Sequence, residues 1–172
     1  MTTNRYVYEG QTRIVLVPGS VGIADISAPT LVELNDADTV DLSRLLTKDG
    51  LNTPQNQNMV DSSTLAEIFD SQLVGSWGGA FELTCFRARP GDDGLGDKAW
   101  DTFNYGEEHH AVIRRGVPYD QAWADGDHVE VYPIQSHQPI MQPSAANEQQ
   151  RFVVSCAVTE QPDLKAVVGG GS

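Results

Sequence analysis

The sequence predicts a mainly β protein with about five strands, enough for one sheet or half a sandwich. Three observations carry this. Residues 111–135 (AVIRRGVPYDQAWADGDHVEVYPIQ) read as a hairpin with a wide loop: a β-branched run at Val112 and Ile113, breakers at Pro118 and Asp120, a turn at Asp125-Gly126-Asp127, then a second run from Val129. Residues 77–88 alternate Phe81, Leu83 and Cys85 against Glu82 and Thr84, and residues 152–159 alternate Phe152, Val154, Cys156 and Val158 against smaller side chains. Glycine (16) and proline (9) are plentiful, so much of the remaining chain is expected in loops.

Taken in order, residues 1–11 are polar apart from Tyr6, Val7 and Tyr8 and form an N-terminal arm whose order depends on contact with something else. Residues 12–17 (TRIVLV) are the first strand, closed by Pro18-Gly19. A short helix follows, with Ser27 or Thr30 as cap and Leu31 and Leu34 on one face. Residues 42–46 fit a strand or a helical turn equally well. Residues 47–60 (TKDGLNTPQNQNMV) are nearly all polar and follow neither period, so they read as a long functional loop. A helix is expected over 61–71, with Glu67 three residues after Thr64 and Leu65, Ile68 and Phe69 on one face. A second capped helix is expected over 98–105, its Trp100 and Phe103 lying on a sheet, with Asp97 as cap and Gly106 after its end. Residues 168–172 have the composition of a flexible linker.

On the second strand of the 111–135 hairpin, His128, Glu130 and Tyr132 alternate with Val129 and Val131. One face is therefore expected dry, and the other open to water or a partner.

The formal net charge is −13, from 24 acidic and 11 basic residues among 172, which argues against binding nucleic acid or anionic membranes by charge attraction. It is compatible with a surface that must not stick to DNA. Cys85 and Cys156 fall at inward strand positions and are expected as buried free thiols. No signal segment and no membrane-length apolar run is seen, so a soluble product made in the cytosol is expected.

Chemical motifs do not reach the level of a site. His109-His110 beside Glu107-Glu108 suggests a metal site, but adjacent strand residues point to opposite faces, and solvent-exposed side chains are expected instead. Asp92-Asp93-Gly94 with Asp97 lacks the spacing of a calcium loop. Asp120, Asp125, Asp127 and Glu130 cluster around the hairpin, and paired carboxylates can hydrolyse glycosides, but only Trp123 offers a sugar platform nearby. Nucleophile-elbow, phosphate-loop, dinucleotide and zinc-protease signatures are absent. No catalytic residue, cofactor or metal is therefore expected. Arg114-Arg115 reads as a pair for acidic groups of the same or a neighbouring subunit.

Six stretches in this order and spacing carry a family likeness: SAPTLVELN (27–35), LTKDGLNTPQNQNMVD (46–61), VGSWGGAFELTCFR (74–87), DKAWDTFNYG (97–106), the hairpin 115–135, and HQPIMQPSAANEQQRFVVSCAVT (137–159). Across about residues 12–167 the chain resembles the major tail tube proteins of long-tailed, non-contractile (siphovirus-type) phages, especially those infecting actinobacteria. The resemblance implies a β-sandwich or partial barrel with one or two short flanking helices and long loop and arm extensions. It also implies homo-hexameric rings stacked into a hollow tube, tape-measure, tail-terminator and distal tail proteins as partners, and a lumen through which the genome passes.

On that basis Glu82 and Glu130 are the candidate lumen-facing acids. Asn52, Thr53, Pro54, Gln55, Asn56, Gln57 and Asn58, with Arg114 and Arg115, are the candidates for contacts between subunits. Three other readings compete: a tube of another injection machine (contractile tail or type VI secretion), a non-assembling carbohydrate-binding β-sandwich, and a small hydrolase.

Overall fold

A computed structural model of the chain describes residues 7–66, 68–69, 71–91 and 95–170. Its strands are β1 (Thr12–Pro18), β2 (Val40–Asp41), β3 (Leu46–Asn52), β4 (Gln55–Asp61), β5 (Gln72–Phe86), β6 (Glu108–Arg115), β7 (His128–Ser136), β8 (Ile140–Met141), β9 (Arg151–Val158) and β10 (Asp163–Val167). Two short helices join them: α1 (Leu31–Leu34) after β1, and α2 (Leu95–Thr102) after β5. The sheet runs β2-β1-β6-β7-β9-β5-β3, with β10 on β7, β8 on β9 and β4 on β5, every pairing antiparallel.

The sheet folds back on itself. Side chains from one of its faces, Ile14, Leu16, Ala111, Ile113, Tyr132 and Ile134 on one half and Phe81, Leu83, Cys85, Phe152, Val154 and Cys156 on the other, form a single buried cluster. Phe81 on β5 meets Tyr132 on β7 across it, ring centroids 5.2 Å apart. Helix α2 and the residue that follows it add Ala99 and Phe103, and Trp100 packs edge-on to Phe152 at 5.0 Å. The result is the curled, sandwich-like β fold expected of the sequence, with Trp100 and Phe103 lying on a sheet as expected, although α2 spans Leu95–Thr102 rather than 98–105, so that Asp97 lies in its first turn and Phe103 beyond its end.

A second cluster covers the opposite face of β1, β6 and β7. Val15, Val17, Val112, Val129 and Val131 pack there with Leu34 of α1, Ala166 of β10, Trp123 and Val168. Two expectations are corrected here. The hairpin of β6 and β7 is dry on both faces: α1 and β10 cover the Val129 and Val131 side, and the side expected to be wet, that of Tyr132, packs into the inner cluster. The stretch expected as a flexible linker is docked over its described part: Val168 is 1% exposed and Gly169 bridges Thr30.

Of the two caps expected for helix α1, Thr30 is the one used, with Glu33 completing a capping box. Residues 47–60 are not a loop: they supply most of β3 and β4. Their polar composition hides the strands because β4 has no buried face, and alternation is visible only where one face is dry. The helix expected near 61–71 is absent among the described residues, where Ser62 and Ser71 close a hairpin connection through Ser62 N–H donating to the Ser71 carbonyl at 3.0 Å. The capping signal is used locally, the Asp61 carboxylate accepting from Ser63 N–H at 2.9 Å. Glu67, part of that expectation, lies outside the described residues, as do residues 1–6 of the arm and Asp92-Asp93-Gly94.

Candidate assembly surfaces

The most exposed element is the ribbon formed by β4 and the first half of β5. Gln55 to Asp61 pair with Gly79 to Gln72, and all seven residues of β4 are exposed. The register slips by one between the Gln57–Trp77 and Met59–Val74 pairs, a bulge at Gly75-Ser76. Glycine is required there: a Cβ at position 75 would stand 2.9 Å from the Asn58 carbonyl oxygen and 3.2 Å from Val60. The Asn58 amide donates to Ser76 Oγ at 3.0 Å across the bulge.

For so polar a sequence the ribbon shows much apolar surface. Met59 (67%), Val74 (95%), Leu65 (110%), Ile68 (106%) and Phe69 (80%) are exposed, along with Val60, Leu73 and Trp77. An apolar surface of this extent marks a contact site in a soluble protein. The sequence reading placed the contact residues on the polar 52–58 stretch and missed these neighbours, because it assigned Leu65, Ile68 and Phe69 to the buried face of a helix. Gln55, Asn56, Gln57 and Asn58 do lie on the ribbon, Thr53 and Pro54 turn from β3 into it, and Asn52 ends β3 beside Glu82.

The second surface is the open outer face of β3, β5 and β9. Register places Asn52, Glu82 and Ser155 in one row across it, and Ser155 Oγ donates to Glu82 Oε2 at 3.4 Å. The next row runs Ala80, Ala157, Gln135 and Glu108. Glu82 thus sits opposite the apolar positions of its strand, as expected. Glu108, exposed on the same side of the sheet, is a second acid that sequence reading missed, although counting back by twos from Val112 along β6 reaches it.

Glu130 does not share that face. It stands on the side of Tyr132 and Ile134, opposite Ile113, and holds Arg115 through two contacts, Nε to Oε1 at 2.8 Å and Nη2 to Oε2 at 3.3 Å. Both side chains are about one quarter exposed (28% and 25%). The expectation that Glu130 faces a wet side opposite its apolar neighbours fails because the inner cluster extends along its own side of β7.

Arg114 is 1% exposed, so of the two uses foreseen for it the partner within its own chain is the one seen. It donates to Asp127 Oδ2 at 2.6 Å and to the carbonyls of Ala122, Gln121 and Pro118. Its guanidinium lies 4.8 Å from the Trp123 ring, and that of Arg13, paired with Asp41, lies 4.9 Å from the same ring. Trp123 and Asp127 are thereby used up in holding the β6–β7 loop. Neither is free to act as sugar platform or catalytic carboxylate.

The exposed histidine pair expected at the start of β6 is corrected too. His109 is 3% exposed, packed edge-on to Phe103 at 6.0 Å, and both its ring nitrogens are buried without hydrogen-bond partners. Burial holds the pKa of His109 and of His110 below the usual imidazole value. His109 is thus packed against Phe103, the residue after α2, and His110 is half-buried. Cys85 and Cys156 are free and buried as expected, and burial pushes both thiols up to about 12. The described part of the N-terminal arm is tied to its own chain, with Tyr119 N–H donating to the Gly10 carbonyl at 3.0 Å and an ion pair between Lys48 and Glu9.

No group of three or more His, Cys, Asp or Glu side chains among the described residues is arranged to hold a metal ion. No described helix is long and apolar enough to cross a membrane. A self-contained double-layered β body bearing one unsatisfied ribbon defines a subunit made to join others. Family comparison agrees: residues 1–171 match the phage tail tube protein family, and the chain belongs to it. It is therefore a component of a phage tail. No curated protein matches the sequence. Among solved structures, the fold is shared with a chain in the cryo-EM structure of the anti-feeding prophage baseplate, 6-fold symmetrised, with a TM-score of 0.56 and 8% identity over 98% of each chain.

Proposed function

We propose that six copies of the chain close into a ring, and that the rings stack into the tail tube of a siphovirus-type phage as a conduit for DNA. The observation that carries this reading is the ribbon: a two-stranded element is marginal in water, and this one exposes its apolar side chains to it. Six copies per ring draws support from the symmetry of the assembly holding the similar chain. The exposed sheet edges would be consumed by neighbours around the ring, which prevents uncontrolled pairing.

The bore is lined by the open outer face of β3, β5 and β9 and by the adjoining start of β6, with Glu82 and Glu108 facing the duplex. A basic wall making about 6 to 10 phosphate contacts would grip DNA tightly. An acidic wall repels it, and since screening limits the repulsion to roughly 10 Å at ordinary salt, it lubricates the wall without centring the duplex at long range. Glu130 adds no net charge to any surface, because Arg115 neutralises it. Arg115, still part-exposed, and Asn52 to Asn58 contact adjacent copies, and the tube is built in the host cytoplasm against tape-measure, terminator and distal tail proteins. The chemistry is passive passage, with no catalysed reaction.

A second reading, the tube of another injection machine such as a contractile tail or type VI secretion system, is favoured by the likeness to the prophage baseplate chain. Negative-stain microscopy of the purified full chain at high concentration tests assembly: rings or tubes with a central bore are expected, and deleting residues 52–58 should leave a soluble domain that forms none. Normal tubes from the deletion, or monomers from the full chain at every concentration, would overturn the proposal.

A further inference from the structure

The layer formed by β1, β6 and β7 has two ends of different charge. At the end where β6 begins, residues 18–22, 104–107, 133–138 and 159–162 come together, tied by Gly19 N–H donating to the Glu108 carbonyl at 2.8 Å and Thr159 N–H to the Pro133 carbonyl at 3.0 Å. These stretches hold Glu107 and Glu160 and no lysine or arginine. At the other end, where β1 starts and β6 stops, lie Arg13, Arg44, Arg114 and Arg115. The eight residues of β6 separate the two ends by roughly 24 Å.

Each end carries one group without the partner its chemistry calls for. Arg13, Arg114 and Arg115 hold Asp41, Asp127 and Glu130. Arg44 is exposed and, among the described residues, has no carboxylate within ion-pair distance; Asp120 lines the same small cleft but does not reach it. Tyr119 holds the guanidinium instead, its hydroxyl accepting from Nη2 at 3.1 Å and its ring centred 5.6 Å away. Fixed there, Arg44 stands between a cleft of about 310 Å³ and a larger one of about 660 Å³ floored by Ile14, Leu46 and Leu51. A planar guanidinium already held in place gives up little further freedom when a carboxylate arrives. At the far end Glu107 is engaged, accepting from the Asn104 amide at 3.2 Å and lying 3.9 Å from His109 Nε2. Glu160 is exposed on the turn between β9 and β10 and accepts no hydrogen bond among the described residues.

We infer that Glu160 of one copy seats on Arg44 of the next, so that consecutive rings are joined end to end by a repeated ion pair. The inference rests on the tube reading and deepens it by naming groups that set the direction of stacking. Because the two groups lie at opposite ends of one layer, the contact is heterologous: each copy offers Arg44 to one neighbour and Glu160 to the other, and the contact propagates. A ring added upside down would set Glu160 against Glu160, which like-charge repulsion opposes. With a formal charge of −13 on every copy the rings repel as wholes, but that repulsion is screened beyond roughly 10 Å, and local complementarity decides at contact.

The test measures the concentration at which the purified full chain forms tubes, by sedimentation and negative-stain microscopy. Arg44→Glu and Glu160→Arg should each raise it at least about tenfold, since each sets like charges face to face. The double variant rebuilds the pair with its charges exchanged and should return the threshold to within about threefold of the wild type. Both positions are exposed, so the circular dichroism spectrum and melting curve should not change. Arg44→Gln removes the charge alone; it should also raise the threshold, and it carries the test if Arg44→Glu fails to fold. Single variants that form tubes as readily as the wild type, or a double variant no better than the singles, would overturn the pairing and leave the tube reading standing. A wild-type chain that never forms tubes would overturn both.

Discussion

The body of the sandwich and the β4–β5 ribbon are both antiparallel β structure, and β5 runs through both, yet they solve opposite problems. In the body, Phe81, Leu83 and Cys85 of β5 are fully buried between two layers. Seven residues earlier on the same strand, Val74 is 95% exposed. Backbone pairing is satisfied in either place, so hydrogen bonding does not separate them; side-chain burial does. The body meets its requirement within one chain. The ribbon leaves its requirement open and becomes stable only in company, which is how a single sequence specifies both a subunit and a tube.

Substitutions on either side of that divide sharpen the contrast. Phe81→Ala removes a fully buried ring from the centre of the inner cluster and should cost about 3–5 kcal/mol in denaturant unfolding of the unassembled subunit. Arg114→Ala leaves the Asp127 carboxylate, whose side chain is 15% exposed, without its charge partner, and should also cost about 3 kcal/mol, measured the same way. Should either variant unfold like the wild type, the division between a self-sufficient body and a dependent ribbon would be misplaced.

A smaller effect should appear with pH. His109 and His110 are held neutral in the folded chain, their pKa values lowered by burial, whereas in the unfolded chain each titrates near the ordinary value of about 6.5. The unfolded state therefore binds protons first as pH falls. Stability is complete above about 6.5 and declines as the medium is acidified below it. The melting temperature should fall between about pH 7.5 and 5.5, and His109→Leu should flatten that fall. Smallest of all is Val74→Ser, which should alter unfolding of the subunit by no more than about 0.5 kcal/mol, since it removes nothing buried.

The sequence was legible where one face of a strand is dry. Residues 77–88 and 152–159 alternate because Phe81, Phe152 and their neighbours face the inner cluster, and 12–17 carries an unbroken apolar run, Ile14 to Val17, because both of its faces are buried; the bounds of the first and last of these strands were read closely, whereas the start of β5 at Gln72 was missed. Thr30 was legible as one of two possible caps because that chemistry is local. The strand β4 was not legible, because a strand with no buried face leaves no period. The apolar run Leu65, Ile68, Phe69 was misread for a related reason: helical spacing normally signals a buried face in the same chain, and here no such face exists. Glu82 could be placed from alternation alone. Glu130 could not, since its wet or dry side depends on the long-range packing of β5 and β9 against β7.

Hydrogen exchange of the amides of residues 55–61 and 72–79, measured in the unassembled subunit and again in assembled particles, tests the division most directly. Fast exchange in the free subunit and strong protection on assembly are expected, while the amides of β1, β6 and β7 stay protected in both. Ribbon amides that exchange equally fast in the two states would contradict it.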